Sequence, residues 1–422
     1  MGLPFLTMIL AIALFPLAWP RFWGKNRNKL TVAIVLSVPV LVFFLARGAP
    51  QEVGRTLLFD YLPFIILLGS LYTITGGIHL AGDLEATPLA NTLFLAIGAV
   101  LASLMGTTGA AMLLIRPVLK TNSERKYKVH TVLFFIGIVA NTGGLLTPLG
   151  DPPLFMMYLR GAPFFWFFRL FPEWAFVNGV LLAIYYFIDV HYHKKEPPEA
   201  IAKDKADVAP LKIEGRLNFL WLLGVIGAVA VLNENTLPFL KSTVYARFLR
   251  EAVILLMAVL SYVSTGKHVH YHNRFHWGPI AEVAYLFLGI FITMVPCLIF
   301  FETRARALGI STPRQFFYGA GALSSFLDNT PTAVVFHALA LGLGGQTPSL
   351  VAGIPAALLK AICVGAVMFG GMTYIGNGPN FMVKAVAEHD KIHMPHFFGY
   401  MAKFSLVILL PVFLLAQILF IR

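Results

Sequence analysis

Charged residues are scarce in this chain of 422 residues. Asp, Glu, Lys and Arg together make up 12% of it, whereas hydrophobic residues make up 58% and the mean hydropathy is +0.77. Soluble domains carry about 25% charged residues. Because half of the usual charge cannot cover a globule of this size, the composition excludes a soluble protein and predicts an integral membrane protein that crosses the bilayer several times.

Cysteine-based sites and catalytic motifs are missing as well. The two cysteines, Cys297 and Cys363, both lie in apolar stretches, which excludes a disulfide framework and a cysteine-rich metal site. The sequence has no phosphate-binding G-x-x-x-x-G-K-[S/T] loop and no covalent catalytic signature. We therefore expect a protein that is not an enzyme, needs no cofactor and draws its energy from ion gradients.

Basic residues outnumber acidic ones, with a formal net charge of +12. Lys and Arg cluster in short loops, which is typical of membrane topology and does not favour a nucleic-acid partner. By the positive-inside rule, the stretches 21–29, 120–128 and 191–216 are cytoplasmic and the N-terminus lies outside. The loop 302–314, which carries three arginines, then falls outside, against the rule.

Most of the chain consists of apolar stretches near the roughly 20 residues that a helix needs to cross a bilayer. The candidate spans are 3–20, 30–47, 57–78, 128–159, 162–190, 217–233, 246–263, 278–301, 354–386 and 396–421. Two further stretches, 89–118 and 315–342, have polar residues at their centres. Residues 191–216 are polar, and we expect them to form a cytoplasmic linker. The first twenty residues lack a basic n-region, so we expect a retained helix there.

The two halves of the chain repeat one polar pattern. Three blocks of the first half match blocks of the second half in order, at offsets of 220, 222 and 226 residues. An odd number of crossings between the matched blocks would make the halves inverted, an arrangement typical of secondary transporters. The matched pairs are Gly69 with Gly289, Thr73 with Thr293, Ser103 with Ser325, Thr108 with Thr330, Thr147 with Thr373, Gly150 with Gly376, and Asp151 with Asn377.

We therefore predict an all-α polytopic membrane protein built from two inverted repeats of about five transmembrane helices each. Each repeat contains a re-entrant hairpin, which turns back inside the membrane, and an unwound helix; for each hairpin, one long tilted helix is the alternative. The first repeat is 1–190, with the hairpin 89–118 and the broken helix 128–159. The second is 217–422, with the hairpin 315–342 and the broken helix 354–386.

The stretch ANTGGLLTPLGDPPLF, from Ala140 to Phe155, cannot form a regular helix. Its prolines lack an N–H donor and clash with preceding carbonyls, and its glycines weaken the helix further. Residues 370–380 have the same character. Because freed backbone groups need partners inside a membrane, we expect both stretches to face a polar cavity that binds an ion or a substrate. A kink that is simply packed against its neighbours is the alternative.

Two acids, Asp151 and Asp328, lie at these interruptions. An ionisable side chain inside the membrane is costly and indicates a functional site. A carboxylate that exchanges a proton for a metal cation is the minimum machinery of an antiporter, so we predict both acids as ligands of a transported cation. The alternative for each is a helix N-cap.

Neutral polar side chains accompany the acids. Their oxygens suit Na⁺, by analogy with Ca²⁺ and Mg²⁺, although threonines also join membrane helices without binding anything. The predicted neutral site residues are Asn141, Asn329, Asn377, Asn380, Thr107, Thr108, Thr147, Thr330 and Thr373. Elsewhere we expect His337 to be packed, Arg116 and Lys360 to reach towards the interface, and the histidine-rich loop 267–277 to be a polar loop, with metal binding or pH sensing as alternatives.

At these residues the chain resembles a known group. ANTGGLLTPLGDPP is similar to a stretch of NhaD-type sodium/proton antiporters, and SSFLDNTPTAVV (324–335) resembles their second-hairpin Asp-Asn motif. These belong to the ion transporter superfamily, which also holds citrate transporter-like (CitMHS-like), dicarboxylate and arsenite transporters. The resemblance implies a homodimer with an elevator-like movement. It also implies cation-site roles for Asn141, Thr147, Asp151, Asp328, Asn329 and Thr330.

The first hairpin departs from the antiporter pattern. Gly106-Thr107-Thr108 stands where that pattern has acids, and Pro152-Pro153-Leu154 replaces hydroxyl residues after the aspartate. Such a neutral tip is more similar to those of carboxylate carriers. Two functions stay open: sodium/proton antiport, favoured because no arginine lies beside either break, or proton- or sodium-coupled transport of citrate, a dicarboxylate or another anion. Either implies a multi-pass protein of the bacterial inner membrane.

Overall fold

Helices form most of the chain. The structure, a computed structural model, describes residues 2–234, 236–241, 246, 248–344 and 349–422. Helices satisfy their backbone hydrogen bonds internally, as hydrocarbon requires. The prediction of an all-α polytopic membrane protein is confirmed. Within the described residues, seven helical segments are long and apolar enough to cross a bilayer: Asn26–Ala46, Pro50–Gly76, Pro88–Met105, Val129–Leu146, Phe164–His193, Gly278–Leu308 and Phe397–Phe420.

Many helices of the N-terminal half begin at proline, whose fixed φ and missing N–H suit the first helical turn. The elements of this half are α1 (Leu3–Ala18), α2 (Pro20–Trp23), α3 (Asn26–Ala46), α4 (Pro50–Thr56), α5 (Leu62–Gly76), β1 (His79–Asp83), α6 (Pro88–Met105), α7 (Thr107–Thr121), α8 (Val129–Ile138), α9 (Pro152–Leu159), α10 (Phe171–His193), α11 (Pro198–Ala206) and β2 (Ala209–Glu214). A π-helical stretch, Leu57–Tyr61, and two 3-10 helices, Thr142–Leu146 and Phe164–Leu170, lie between them.

The C-terminal half follows the same alternation of long and short helices. Its elements are α12 (Leu217–Val231), α13 (Leu249–Ser264), α14 (Lys267–His272), α15 (Gly278–Arg304), α16 (Pro313–Ser324), α17 (Asn329–Leu343), β3 (Leu350–Val351), β4 (Ile354–Pro355), α18 (Ala356–Phe369), α19 (Gly378–His389), α20 (Phe397–Tyr400) and α21 (Leu410–Phe420). Strands β3 and β4 form a small antiparallel ribbon. The 3-10 helices Pro238–Lys241, Ala305–Leu308 and Gly370–Met372 and the π-helical stretch Met401–Leu409 complete the half.

Each half contains two packed helices joined at a polar tip. The first hairpin consists of α6 and α7, joined at Gly106, where φ is +83°. The second hairpin consists of α16 and α17, joined by residues 325–328. Thr87 and Thr312 cap the first helix of each hairpin, accepting the backbone N–H three residues later at 3.2 and 3.3 Å. Such a cap stabilises a helix by about 1 kcal/mol, so both hairpins start in the same way.

A broken helix follows each hairpin. In the first, α8 and α9 flank the break; in the second, α18 and α19 do. Thr147 and Thr373 have φ and ψ of −140° and 161°, and −138° and 167°, respectively. Asp151 and Asn377 have −147° and 143°, and −148° and 141°. The shared angles support a common origin of the two breaks, while the inverted relation of the halves stays a prediction.

Matched glycines allow each break to fold against itself. A Cβ at Gly150 would lie 2.0 Å from the carbonyl oxygen of Gly144, and a Cβ at Gly376 would lie 2.6 Å from that of Gly370. Both distances are far shorter than any real contact of a Cβ atom with backbone. Glycine therefore recurs at these positions because no side chain fits.

The broken helices lie inside the protein. In the apolar window of Val129–Leu146, 78% of the residues are buried, compared with 28% in that of Asn26–Ala46. The peripheral α3 thus exposes an apolar surface, as expected for a lipid-facing helix, and the interior helices shield the polar breaks.

The stretch 191–216 is ordered. It contains α11 and β2, and β2 pairs antiparallel with β1, with Glu214 opposite His79. The Asp204 carboxylate on α11 accepts a hydrogen bond from the backbone N–H of Ala86 at 2.9 Å. Sequence alone does not reveal this docking, because the partner strand lies far away in the chain.

Candidate functional site

The carboxylate of Asp151 lies at the centre of the polar interior, where it is 1% exposed. One oxygen accepts hydrogen bonds from Thr107 Oγ1 at 2.8 Å and Asn377 Nδ2 at 3.2 Å. The other oxygen accepts a hydrogen bond from Asn329 Nδ2 at 2.5 Å. The three donors belong to the first hairpin, the second break and the second hairpin. All four interrupted elements therefore meet at this carboxylate.

Four helices begin around Asp151. Thr107 and Asn329 are the first residues of α7 and α17, while Asp151 and Asn377 directly precede α9 and α19. The N-terminus of a helix carries the positive end of the helix dipole. Helix α9 contributes only its dipole here, because its first two residues, Pro152 and Pro153, have no N–H. The region therefore favours negative charge, whether it belongs to Asp151 or to a bound anion.

A chain of buried asparagine amides leads away from Asp151. Asn377 Nδ2 also faces Asn141 Oδ1 at 3.2 Å, and Asn141 Nδ2 donates to Asn380 Oδ1 at 2.7 Å. Asn380 in turn donates to two backbone carbonyls of its own break, at 2.8 and 2.9 Å. The two halves of the protein are thus joined at the breaks by polar contacts between side chains that the sequence analysis selects.

The Asp151 carboxylate has no fixed basic partner. In the part of the chain that the structure describes, no Lys, Arg or His nitrogen lies within 4.0 Å of it. A buried charge without a basic partner is costly, and, of the residues that the structure describes, only the three hydrogen-bond donors offset that cost. Among the described residues, no group of three or more His, Cys, Asp or Glu side chains could hold a metal ion. A cation here would rely on amide, hydroxyl and backbone oxygens for its remaining ligands.

Asp328 has a different environment from Asp151. Its carboxylate accepts the backbone N–H of Thr330 at 3.0 Å and so caps α17. It also lines a cavity of about 10 Å³ together with apolar residues of α1 and α15, a volume at the lower limit for one water molecule. Its neighbour Asn329 makes the contact with Asp151. At the first tip, Thr108 is partly exposed, whereas Thr330 is buried.

Two of the predicted threonines fasten the breaks to the hairpins. Thr147 donates a hydrogen bond to the backbone carbonyl of Ser103, and Thr373 donates one to that of Ser325. The hydroxyls also accept backbone N–H groups of their own breaks, at 3.1 and 3.2 Å. The contacts repeat in the two halves. All of these partners are backbone groups, so the two threonines position the site and do not contact Asp151.

The sequence analysis does not identify the neighbours of the first break on α10. Trp174 Nε1 donates to the carbonyl of Gly143 at 3.0 Å. The preceding residue, Glu173, is fully buried and pairs with Lys360 of α18 at 2.5 Å. An acid within a long apolar span is the signal that could have found Glu173. Lys360 is therefore held by an ion pair, and does not simply extend to the interface as expected.

Comparison with known proteins agrees with this architecture. Residues 1–421 match the model of a family described as "Putative citrate transport". A comparison with curated proteins gives no significant match. The family is one of membrane transporters rather than enzymes. Because the match spans almost the whole chain, the protein belongs to the CitMHS_2 family and is an integral, multi-pass membrane transporter.

Proposed function

We propose that the protein carries a citrate-type carboxylate across the bacterial inner membrane, coupled to a proton or Na⁺ that binds at Asp151. The observation that carries the proposal is a fully buried carboxylate held by donors from three other interrupted elements, with no basic partner among the described residues. The gradient of the coupling cation supplies the energy. The resemblance to transporters of this superfamily supports a homodimer as the working unit.

The surroundings of Asp151 support the cation half of the proposal. The amides of Asn329 and Asn377 donate to the carboxylate, which stabilises its charge when no cation is bound. Rotating the Asn329 amide by 180° aims its oxygen, instead of its nitrogen, towards a cation on the carboxylate. The Asn377 amide keeps its orientation, because its nitrogen also donates to the carbonyl of Ala140 at 3.1 Å. The same residues can therefore serve the empty and the occupied site.

The family description and the four helix N-termini support the carboxylate half. With Asp151 ionised, its charge occupies the region that the N-termini favour. When a proton or Na⁺ neutralises Asp151, the same N-termini favour the charge of a substrate carboxylate. Coupling follows, because the substrate binds well only after the cation.

Matched contacts in the two halves support alternating access by two inverted repeats, 1–190 and 217–422. Thr73 and Thr293 each donate to the carbonyl four residues earlier, at 2.7 Å in both cases. The contacts of Asp151 with the second half join the two units through polar groups, which can exchange partners during a conformational change. Elevator-like movement of the hairpins and broken helices fits this division.

Flux into proteoliposomes tests the proposal. Accumulation of labelled citrate should require an inward gradient of H⁺ or Na⁺. Asp151→Asn mimics the neutralised carboxylate, so it should abolish gradient-driven accumulation and keep passive citrate exchange. Glu199→Gln, which changes an exposed acid on α11, should behave like the unmodified protein. Gradient-driven accumulation by Asp151→Asn at the normal level would remove Asp151 from the coupling.

Sodium/proton antiport is the second candidate, because a buried carboxylate without a basic partner is also what cation exchange needs. The distinguishing measurement is made without any carboxylate substrate. If Na⁺ drives protons out of acid-loaded vesicles under these conditions, antiport is correct. If Na⁺ moves no protons and citrate accumulates, carboxylate transport is correct.

A further inference from the structure

A large cavity with a basic lining opens at the far ends of two helices that start at the site. It encloses about 790 Å³ between α7, β1, the segment after α14, and α19. Four cationic side chains line it, and we call it the basic vestibule: Arg116, Lys120, Lys128 and Arg274. Its volume is typical of small-molecule sites, which range from about 300 to 1,000 Å³.

The protein balances the charge of the basic vestibule only in part. Its only lining acid among the described residues is Asp390, which pairs with His389 at 3.2 Å. Among the lining side chains alone, with histidines neutral, four cations and one acid leave a net charge of +3. Outside the lining, Asp83 attracts Lys120, and Glu124 and Glu196 attract Lys128. Within the described part of the chain, none of the four cations lies within 4.0 Å of a carboxylate. Arg116 and Lys128 instead donate to backbone carbonyls, at distances between 2.7 and 3.2 Å.

Two simpler explanations account for only part of this arrangement. Lys120 lies in the last turn of α7, where a cation suits the helix dipole, but this explains one of the four charges. The positive-inside rule explains why basic residues are common on one aqueous side. It does not explain why Arg116 of α7 and Arg274 of a distant loop converge on one cavity.

The basic vestibule is separate from the Asp151 site, but two helices, α7 and α19, connect the two places. Helix α7 begins at Thr107, beside Asp151, and reaches the vestibule at Arg116; nine residues of helix span roughly 14 Å. Helix α19 likewise begins beside Asn377 and ends at His389. An anion in the vestibule therefore lies at the end of the two helices that contact the Asp151 carboxylate at their start.

We propose that the basic vestibule is a second binding site for a polycarboxylate anion, which it concentrates at one aqueous face of the transporter. Arginines bind carboxylates with two parallel hydrogen bonds, and a cleft lined by one sign of charge raises the local concentration of its counter-ion. The excess of positive charge in the lining favours a polycarboxylate over a monocarboxylate. The choice of substrate class relies on the proposed function, while binding in the vestibule does not depend on transport.

The test uses the full-length protein in nanodiscs with a cysteine reporter at Ser123, which is exposed and lines the vestibule. The native cysteines are both buried and should react slowly. Citrate should slow the labelling of Ser123→Cys by a charged thiol reagent, with succinate less effective and acetate ineffective. A cysteine at Ser311, exposed in the loop before α16, should not be protected.

Two matched double variants decide whether the basic residues carry the effect. Lys120→Gln with Arg274→Gln removes two exposed vestibule charges and should weaken citrate protection at least tenfold. Arg21→Gln with Lys25→Gln also removes one exposed arginine and one exposed lysine, both outside the vestibule, and should leave protection unchanged. Equal protection in both variants would overturn the proposal.

Two further measurements distinguish this proposal from the proposed transport function and from lipid binding. Protection should persist in Asp151→Asn, because that change lies outside the vestibule, and it should persist even if citrate uptake fails in vesicles. Nanodiscs with and without anionic lipid test a lipid phosphate as the occupant. If anionic lipid protects Ser123→Cys and citrate in neutral nanodiscs does not, the basic vestibule binds lipid headgroups and the proposal is wrong.

Discussion

Asn329 donates a hydrogen bond to the carboxylate of Asp151, although 178 residues separate the two in the chain. The contact joins the second hairpin to the first broken helix. The adjacent Asp328 binds the backbone of its own helix instead. Two neighbouring polar residues thus have different tasks: one starts α17, and the other stabilises a charge in the opposite half.

Substitutions of Asp328 and of Asn329 should therefore have different effects on citrate uptake. Asparagine caps a helix as well as aspartate does, so Asp328→Asn should keep citrate uptake within about threefold of the original rate. Asn329→Ala removes a donor to a buried charge, and hydrogen bonds to charged groups contribute about 1.5–3 kcal/mol. Uptake should fall about tenfold or more, as measured in proteoliposomes at matched protein content. A well-folded Asp328→Asn protein without uptake would place Asp328 in the cation site.

Glycine should be indispensable at the centre of both breaks. In Gly150→Ala and Gly376→Ala the new methyl group would overlap a backbone carbonyl, and backbone cannot move aside as a flexible side chain does. Both variants should lose several degrees of thermal stability in detergent. Gly378, two residues after Gly376, has open space around its Cβ position, so Gly378→Ala is the matched control and should melt normally. Equal melting of Gly376→Ala and Gly378→Ala would contradict the described packing.

Composition and hydropathy are sufficient to predict a polytopic membrane protein. In hydrocarbon the backbone must form its hydrogen bonds within each span, so each span is a continuous apolar segment that can be read from the sequence. The sequence also identifies the residues around Asp151, since Asp and Asn are rare in apolar spans and the polar, glycine and proline residues recur at matched positions in the two halves. The sequence does not show which of two adjacent residues, Asp328 or Asn329, faces the site. Successive helical residues point roughly 100° apart, and only the packing of α17 decides between Asp328 and Asn329.

Contacts between distant segments were the other part that sequence could not provide. The sequence predicts that Arg116 extends to the interface, and it does not identify a role for Glu173. Their partners lie on elements far away in the chain: Arg116 binds the carbonyl of Asn273, and Glu173 pairs with Lys360. Hydrophobic periodicity within one helix contains no information about such partners.

A buried ion pair anchors the loop after the first hairpin. Arg125 binds both carboxylate oxygens of Asp189 on α10, at 2.7 and 3.0 Å, and the two side chains are 4% and 0% exposed. Removing one partner of a buried pair costs about 3–5 kcal/mol when the other charge is left uncompensated. Asp189 keeps its contact with His130 at 2.8 Å, so Arg125→Met should lower the melting temperature, by less than that full cost implies. Lys212→Met breaks an exposed contact with Glu214 worth about 0–1 kcal/mol, and should change it little. Similar melting of the two variants would show that the contacts of Asp189 with His130 and Asn91, at 2.8 and 3.2 Å, are sufficient without Arg125.

The pair between Glu173 and Lys360 should behave as a coupled unit. Glu173 is fully buried, and its Oε2 has no hydrogen-bond partner among the described residues. Lys360→Met would leave an uncompensated charge beside the first break, so both stability and uptake should fall. Adding Glu173→Gln removes that charge and should restore most of the lost melting temperature, because replacing both partners of a buried pair is often nearly neutral. A double-mutant cycle on melting temperatures measures the coupling.

Additive losses of melting temperature would mean that Glu173 and Lys360 act independently. Recovery of stability without recovery of uptake would mean that transport itself requires the charged pair.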